Sequence, residues 1–240
     1  MIVKATVRPG SLTTQVTERL RNAILDAEFK LGEALSEDKL ATALKVSRTP
    51  VREALTALQL QGLIHIQPQR GSFVFMPSVA DLAELCEFRC IIEVQALRLC
   101  FAHSRKAMLA QMRSASSAMA AARAAKDPLA SARADSAFHE SLLGNCQNHY
   151  LTEAYRLASG KVSALRAHSS TANVRTAANV EHEQIIKAVA RNDLPAAEAI
   201  LTDHILKMRQ RYEPKSRQSA TPRTADRRRQ ADESIALLDD

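Results

Sequence analysis

The sequence predicts a mainly α-helical protein with one small β-hairpin, organised as two folded domains and a charged tail. Three observations lead to this fold class. Apolar residues recur at helical spacing along most of the 240-residue chain, which is typical of amphipathic helices. Two short runs of β-branched and aromatic residues stand together near residue 70, and strand signals are almost absent beyond them. We place the domains at residues 1–78 and 79–213 and the tail at residues 214–240.

The first part of the chain predicts three helices in close succession. Residues 14–28 form an amphipathic helix, and residues 29–35 are expected to form a turn. Ser36 then caps a short second helix, and Ser47 caps a third after a turn of about three residues. Two helices joined by so short a turn are typical of a helix-turn-helix.

The third predicted helix, which starts in the stretch VSRTPVREAL, has an unusual charge pattern. Pro50 is tolerated in its first turn, because the N–H groups of that turn have no partner inside the helix. Helical spacing leaves Arg48, Thr49 and Arg52 outside the core. Cations near the positive end of a helix dipole are locally unfavourable, so we expect an external anion here, with phosphate as the natural candidate.

A β-hairpin follows the third helix. Residues 63–67 and 72–75 are rich in strand-forming side chains, and the segment between them has the composition of a tight turn. A helix-turn-helix followed by a hairpin is a winged helix. Its wing tip carries Arg70 beside Gly71, which suits close approach to a DNA groove. A solvated turn residue is the alternative interpretation of Arg70.

The rest of the chain predicts an all-α antiparallel helical bundle. Asp-Pro, Gly-Asn, Asn-Asp and a polar run separate its segments. The predicted helices span residues 79–102, 106–125, 128–144, 148–168, 174–191 and 194–212. The tail is polar and highly charged, which is typical of a segment without a packed core.

Composition narrows the class of protein. We find no apolar run of membrane-spanning length and no secretory signal, so we expect a cytoplasmic protein that does not bind a membrane. The four cysteines form no CxxC pattern, and we interpret them as buried thiols. The net charge of +7 permits nucleic-acid binding without establishing it.

Two quoted stretches resemble a known family. LSEDKLATALKVSRTPVREALTALQLQGLI followed by PQRGSFV is similar to the winged-helix domain of the GntR family of bacterial transcription regulators. The helical remainder resembles the FCD ligand-sensing domain of its FadR subfamily. The resemblance implies DNA contacts in the major groove from the third helix and in the minor groove from the wing. The predicted DNA-binding residues are Ser47, Arg48, Thr49, Arg52, Arg70 and Gly71.

One position departs from the family pattern. Where some members have a basic residue in the second helix, this chain has Asp38, next to Glu37. The resemblance therefore implies no DNA contact at that position, and it implies no operator sequence.

Spacing in the bundle points to a metal site. Asp135 and His139 lie one turn apart on one helix, and His182 and His204 are equidistant from a turn at residue 193. On an antiparallel helical hairpin the two later imidazoles reach one level, so the four side chains can bind one divalent ion. Spacing alone leaves ordinary polar histidines as the alternative. FCD domains have an Asp-x-x-x-His pair, as in DSAFHESL, and two later histidines, as in EHEQIIKAV and TDHILKM, so the resemblance implies a metal, with Zn, Ni and Mn as candidates.

An effector site is expected in the same domain. EFRCIIE places Arg89 and Glu93 one turn apart on a face with apolar residues, and a cation inside a bundle needs an anionic partner. The resemblance implies that Arg89 pairs with a small organic acid, and Asn148 is a further candidate for effector binding. A structural Arg89–Glu93 salt bridge is the alternative, and the two interpretations are compatible.

These features favour a transcription regulator that is not an enzyme. We expect a homodimeric repressor that binds a pseudo-palindromic double-stranded DNA operator and is controlled by a small carboxylate effector at the metal. Two other functions remain open. The Asp/His₃ site suits a metal-dependent hydrolase or lyase, and an architectural DNA-binding protein would use the bundle only to dimerise.

Overall fold

The computed structural model describes residues 10–169 and 171–212. Within those ranges the chain forms nine helices and three short strands, so the mainly α fold class is confirmed. The chain divides into two compact units, with the boundary between Phe75 and Met76. The predicted tail at residues 214–240 and the first nine residues of the predicted N-terminal domain lie outside the described residues.

The N-terminal unit contains three helices. Ser11 and Ser36 cap the first two, because each hydroxyl accepts from a backbone N–H three residues on. The first helix ends three residues earlier than predicted, since Ala27 adopts a left-handed backbone with a φ of 62°, which stops a helix. The helices are α1 (Leu12–Leu25), α2 (Glu37–Ala43) and α3 (Arg48–Leu60).

Ser47 occupies the N-cap of α3 as predicted, but its hydroxyl makes no capping hydrogen bond. Its backbone is extended, as a cap requires. The start of α3 is fixed instead by packing, because Pro50 and Val51 are both buried. Ala54, Leu55 and Leu58 continue the buried stripe.

The wing is a three-stranded antiparallel sheet in the order β1-β3-β2, formed by β1 (Ala34–Leu35), β2 (Ile64–Gln67) and β3 (Gly71–Val74). The hairpin prediction is confirmed by the pairing of Ile64 with Val74 and of Gln67 with Gly71. The prediction that residues 29–35 form only a turn was wrong at its end. Ala34 pairs with Phe73, and so short a strand has no periodic pattern to reveal it.

The C-terminal unit contains the remaining helices. They are α4 (Val79–His103), α5 (Arg105–Ala124), α6 (Pro128–Asn145), α7 (His149–Ser169), α8 (Ala172–Ala190) and α9 (Leu194–Tyr212). The largest departure from the predicted bounds is at α8, which begins two residues early because Thr171 caps it through its side chain. Asp127 caps α6 in the same way, with Pro128 in the first turn.

One apolar core fills the C-terminal unit and holds the polar site described below. Its fully buried members include Met112, Phe138, Leu142, Ile185 and Leu201. These residues come from α5, α6, α8 and α9, so the helices that carry the predicted ligands are fixed by packing on both sides of the site.

Three of the four cysteines follow the prediction of buried thiols. All four are free; Cys86, Cys100 and Cys146 are buried, whereas Cys90 is only half-buried. Burial raises the pKa of Cys100 to about 11, so its thiol stays protonated at neutral pH. None of the helices in the described ranges has both the length and the apolar character that a bilayer span requires.

Candidate functional site

The first candidate site is the exposed start of α3. Arg48, Thr49 and Arg52 are all exposed there. Arg52 donates from Nε and Nη2 to Glu37 Oε2 at 3.1 and 2.9 Å, and Arg48 Nε lies 3.0 Å from Asp38 Oδ1. The sequence predicted an external anion for Arg48 and Arg52. In the structure both arginines already pair with carboxylates of α2.

These ion pairs are open to solvent. The Arg48 and Arg52 side chains are 57% and 64% exposed, and exposed pairs contribute little to stability. The hydrogen bond from Arg52 lowers the pKa of Glu37, so Glu37 stays ionised. Because such pairs are weak, the phosphates of a DNA backbone can compete with Glu37 and Asp38 for the two arginines.

The wing tip presents Arg70 and Gly71 to solvent. Gly71 has a φ of 103°, and a Cβ built at this position meets no atom within 4 Å. Glycine is therefore needed for its backbone conformation and not for space.

The second candidate site is a cluster of three buried histidines in the C-terminal unit. His139 on α6, His182 on α8 and His204 on α9 point their Nε2 atoms at one another. His204 Nε2 lies 3.2 Å from His182 Nε2 and 3.2 Å from His139 Nε2. The three residues offer ligand atoms within 4.8 Å of one another, which suits one divalent ion.

Two carboxylates orient the imidazoles. His139 Nδ1 donates to Glu93 Oε2 at 2.6 Å, and His204 Nδ1 donates to Glu181 Oε2 at 2.6 Å. With a proton on each Nδ1, the Nε2 lone pairs of both rings face the centre, which is the tautomer that metal ligands adopt. His182 differs, because its buried Nδ1 has no hydrogen-bond partner among the described residues.

The cluster is uncharged at neutral pH. Burial, followed by the neighbouring His204, lowers the pKa of His182 to about 3. Burial likewise lowers the pKa of His139 and His204. The Nε2 lone pairs of His139 and His204, 3.2 Å apart, repel each other unless a cation lies between them, so the donor set fits a metal ion.

Asp135 lies at the edge of the cluster. Its Oδ1 is 3.6 Å from His139 Nε2 and 2.6 Å from Arg166 Nε. Burial alone would raise the pKa of Asp135, but Arg166 and the three imidazoles hold it below its ordinary value. The structure thus brings Asp135 next to the three histidines, in an ion pair with an arginine that the sequence did not single out.

Arg89 and Glu93 form the buried salt bridge that was one of the two predicted interpretations. Arg89 Nε donates to Glu93 Oε1 at 2.6 Å, and the two side chains are 2% and 0% exposed. The other carboxylate oxygen of Glu93 accepts a hydrogen bond from His139. The Arg89–Glu93 salt bridge therefore also helps to position the histidine cluster. Asn148 lies elsewhere, in the connection before α7, where its Oδ1 accepts from the backbone N–H of Leu151. It does not line the cavity beside the cluster, so we leave Asn148 out of the effector site.

A cavity adjoins the cluster on the side of Asp135 and His204. It offers about 20 Å³ to the centres of water molecules, which is room for about one water. Anything larger enters only if lining side chains move. Its lining includes four arginines, which are Arg89, Arg166, Arg175 and Arg211.

Comparison with known proteins assigns both units. The FCD domain matches residues 84–207, and "Bacterial regulatory proteins, gntR family" matches residues 12–74. The chain belongs to the GntR family. It is therefore a DNA-binding transcriptional regulator with an FCD domain, and the predicted resemblance is confirmed.

Individual GntR relatives agree with this assignment. An HTH-type transcriptional regulator of Streptomyces ambofaciens is 31% identical over 188 residues, which are 78% of this chain and 79% of the relative. A protein of Paenarthrobacter nicotinovorans named as a D-xylose utilization operon transcriptional repressor is 28% identical over 81% of this chain and 86% of its own. The solved structure of a GntR transcriptional regulator from Rhodococcus sp. RHA1 has a TM-score of 0.76 at 26% identity and covers 84% of this chain and 97% of that chain.

Several polar residues of this GntR regulator's site were missed by the sequence reasoning. Glu181 accepts from His204, Lys207 and Arg211, and Arg166 holds Asp135. Although burial works in the opposite direction, the hydrogen bonds from His204 and Arg211 lower the pKa of Glu181 to about 2. The position of Glu181 next to His182 in the sequence was the one available signal.

Proposed function

We propose that this GntR regulator is a homodimeric repressor whose affinity for a double-stranded operator is set by a small organic acid bound beside a divalent metal ion in the FCD domain. The observation that carries the proposal is the convergence of three buried, neutral imidazoles next to a cavity lined by arginines. A relative named as an operon repressor supports the choice of repressor.

The metal would be held by His139, His182 and His204, with Asp135 as the fourth ligand. Three nitrogen ligands and one oxygen ligand suit Zn, Ni or Mn. When bound, the ion supplies a fixed positive charge that attracts a carboxylate oxygen. Glu93 and Glu181 keep two of the rings in the ligating tautomer.

The effector would bind in the adjoining cavity. Arg89 and Arg166 line it within the unit that holds the histidines, and both are buried. A guanidinium binds a carboxylate with two parallel hydrogen bonds. Because each of these arginines already has a carboxylate partner, an incoming acid joins an existing network and does not have to order it.

The operator would be read by the start of α3 and by the wing. Ser47, Arg48, Thr49 and Arg52 would enter the major groove, while Arg70 and Gly71 would approach the minor groove. A dimer would present two such surfaces to the half-sites of a pseudo-palindrome. The effector regulates DNA binding only if it prefers one of two states of the protein, so its differential affinity sets the response. We place this activity in the cytoplasm, where the operator is.

The alternatives receive less support. The three carboxylates beside the cluster, Glu93, Asp135 and Glu181, are each paired with an arginine. A carboxylate held in this way is a poor general base, so the geometry does not favour a hydrolase or lyase. A purely architectural DNA-binding protein would leave the neutral, oriented imidazoles unexplained.

The test combines metal analysis, ligand binding and operator binding. Purified wild type should contain about one metal ion per chain, be stabilised by small carboxylic acids, and change its operator affinity when such an acid is added. His182→Ala/His204→Ala should lose all three properties. His103→Ala/His149→Ala, which removes two exposed histidines of the same unit, is the matched control and should retain them.

Either of two results would contradict the proposal. If the wild type binds no divalent ion with useful affinity, the histidines are structural. If metal and acid bind but the operator affinity of the double histidine variant still responds to the acid, regulation does not pass through this site.

A further inference from the structure

We propose that Glu37 and Asp38 are positioning residues for DNA reading, which hold Arg52 and Arg48 so that each arginine presents two N–H groups to a guanine in the major groove. This inference rests on the proposed DNA-binding surface of α3 and deepens it in two ways. It assigns a role to the carboxylates of α2, and it names the base pairs that the surface selects.

The contact between Arg52 and Glu37 occupies one edge of the guanidinium. Nε donates to Glu37 Oε1 and Oε2 at 3.3 and 3.1 Å, and Nη2 donates to Oε2 at 2.9 Å. Nε and Nη2 form the lateral edge of an arginine, whereas Nη1 and Nη2 form its terminal edge. Within residues 10–169 and 171–212, Nη1 of Arg52 has no hydrogen-bond or ion-pair partner, so the terminal edge is left for a ligand.

Arg48 faces the same two carboxylates in a similar way. Its Nε lies 3.0 Å from Asp38 Oδ1, and its Nη2 lies 3.6 Å from Glu37 Oε2. Glu37 Oε2 therefore faces both arginines, and the four side chains form one network. A network of charges holds long side chains better than an isolated surface pair does. Both arginines are more than half exposed, so their terminal edges are open to a partner from outside.

The open edge of each arginine matches the edge of a guanine. Two terminal N–H groups of one arginine donate to guanine O6 and N7, which is the commonest specific contact in the major groove. On a random duplex, a phosphate competes with the carboxylates for the whole guanidinium. A guanine needs only the terminal edge, so the contact with Glu37 or Asp38 persists when the base is bound. The carboxylates therefore favour guanine over phosphate.

Holding the arginines before DNA arrives also lowers the cost of recognition. An arginine side chain has a large rotamer entropy to lose, and part of this loss has already occurred in the free protein. Arg48 and Arg52 are four residues apart, which is about 6 Å along α3, and stacked bases are about 3.4 Å apart. Each half-site should therefore contain two G·C pairs no more than about two base pairs apart.

The first experiment finds the operator by selection from a randomised duplex library on the effector-free, full-length protein. We expect two G·C pairs per half-site at this spacing. In fluorescence anisotropy, replacing either pair by A·T should weaken wild-type binding at least about tenfold, because adenine presents an amino group where guanine presents O6. Arg48→Ala should remove the discrimination at one of the two positions, and Arg52→Ala should remove it at the other.

Variants of the carboxylates then test positioning. At the base pair assigned to Arg52, Glu37→Gln should reduce the preference for G·C over A·T from at least about tenfold to about threefold or less. Binding to a random duplex should tighten, since a released arginine reaches phosphates. A merely structural defect would weaken both complexes. Asp38→Asn should act in the same way at the base pair assigned to Arg48, and Asp38→Glu, which keeps the carboxylate, should restore the preference.

The matched control is Glu53→Gln, which makes the same charge change on α3 beside Arg52. The Glu53 carboxylate accepts from Thr13 Oγ1 at 2.6 Å. We expect the preference for G·C at both positions to stay at the wild-type value. A loss equal to that of Glu37→Gln would assign the effect to net charge, and the positioning role would be wrong.

The possible failures are distinguishable. If the selected half-sites lack two G·C pairs at this spacing, the guanine assignment is wrong. If both arginine variants lose discrimination but Glu37→Gln and Asp38→Asn keep it, the arginines read bases without help from α2, and this inference is overturned while the proposed function stands. If neither arginine variant changes operator affinity, the proposed DNA-binding surface fails, and this inference fails with it.

Discussion

Arginines pair with carboxylates in both units of this GntR regulator, but in opposite surroundings. At the start of α3, Arg48 and Arg52 are more than half exposed and share the carboxylates of α2. In the FCD domain, Arg89 and Arg166 are only 2% and 5% exposed. The same chemical pair is therefore easily replaced at the proposed DNA-binding surface, where water and phosphate compete for the arginines, and structural in the bundle, where a guanidinium that loses its carboxylate has no water to solvate it.

The largest effect on stability is expected from breaking a buried ion pair. Glu93→Ala leaves the Arg89 guanidinium without its carboxylate and removes the acceptor of His139 Nδ1. We expect a loss of about 3–5 kcal/mol in the free energy of unfolding, measured by urea denaturation of the metal-free protein.

The control for Glu93→Ala is Glu198→Ala, which breaks the surface pair with Arg98 in the same unit. Because Arg98 is open to solvent, this variant should unfold at nearly the wild-type urea concentration. Equal losses in the two variants would show that burial does not separate the two kinds of pair.

A smaller effect, on metal affinity, is expected when a carboxylate that orients a histidine is replaced. Glu181→Gln weakens the orientation of His204 and should reduce metal affinity about 10–100-fold. The measurement is competition with a chromophoric chelator. Glu183→Gln, two residues along α8 and exposed, should leave the affinity unchanged. An unaltered affinity in Glu181→Gln would mean that packing alone orients His204.

Breaking an exposed ion pair of α3 should give a smaller, salt-dependent change in DNA affinity. Asp38→Asn releases Arg48 from its nearest carboxylate, so binding to a random duplex should tighten about two- to fivefold at low salt and the gain should fade as salt rises. Fluorescence anisotropy measures this. Glu18→Gln makes the same charge change on an exposed part of α1, and an equal gain there would assign the effect to net charge alone.

The smallest effect on stability is expected at the cap of α3. Ser47→Ala should change the free energy of unfolding by less than about 0.5 kcal/mol, because the hydroxyl makes no capping bond, whereas Ser36→Ala should cost about 1 kcal/mol. Thermal unfolding measures both. If Ser47→Ala is as stable as wild type yet binds the operator more weakly, the hydroxyl acts on DNA. A cost equal to that of Ser36→Ala would contradict the structure.

The elements of the fold were largely predictable because long helices carry strong periodic patterns. Where no pattern exists, prediction failed. The two residues of β1 pair with β3 only through tertiary contact, and the hydroxyl of Ser47 could make a capping bond but does not.

The candidate site was predictable only in part. Spacing together with family resemblance placed His139, His182 and His204 in one site, and the structure brings them together. Asn148 was predicted to contact the effector, but its side-chain oxygen caps α7 instead. Residue spacing gave no indication of this capping role. Glu181 and Arg166 act through contacts between helices, and the sequence contains no signal for these contacts beyond the position of Glu181 next to His182.

The unpartnered Nδ1 of His182 has a consequence for the choice of ion. Glu93 and Glu181 fix two of the imidazoles, whereas the His182 ring rests on Phe138, with centroids 4.1 Å apart. Within residues 10–169 and 171–212, no hydrogen bond at His182 Nδ1 resists reorientation of this ring. One adjustable imidazole among the three would let the proposed four-ligand site follow tetrahedral or octahedral preferences at little cost. If the proposed metal binds, we expect its identity to be set less by this site than by which metals the cell keeps available, so that the regulator would also respond to the metal supply of its host.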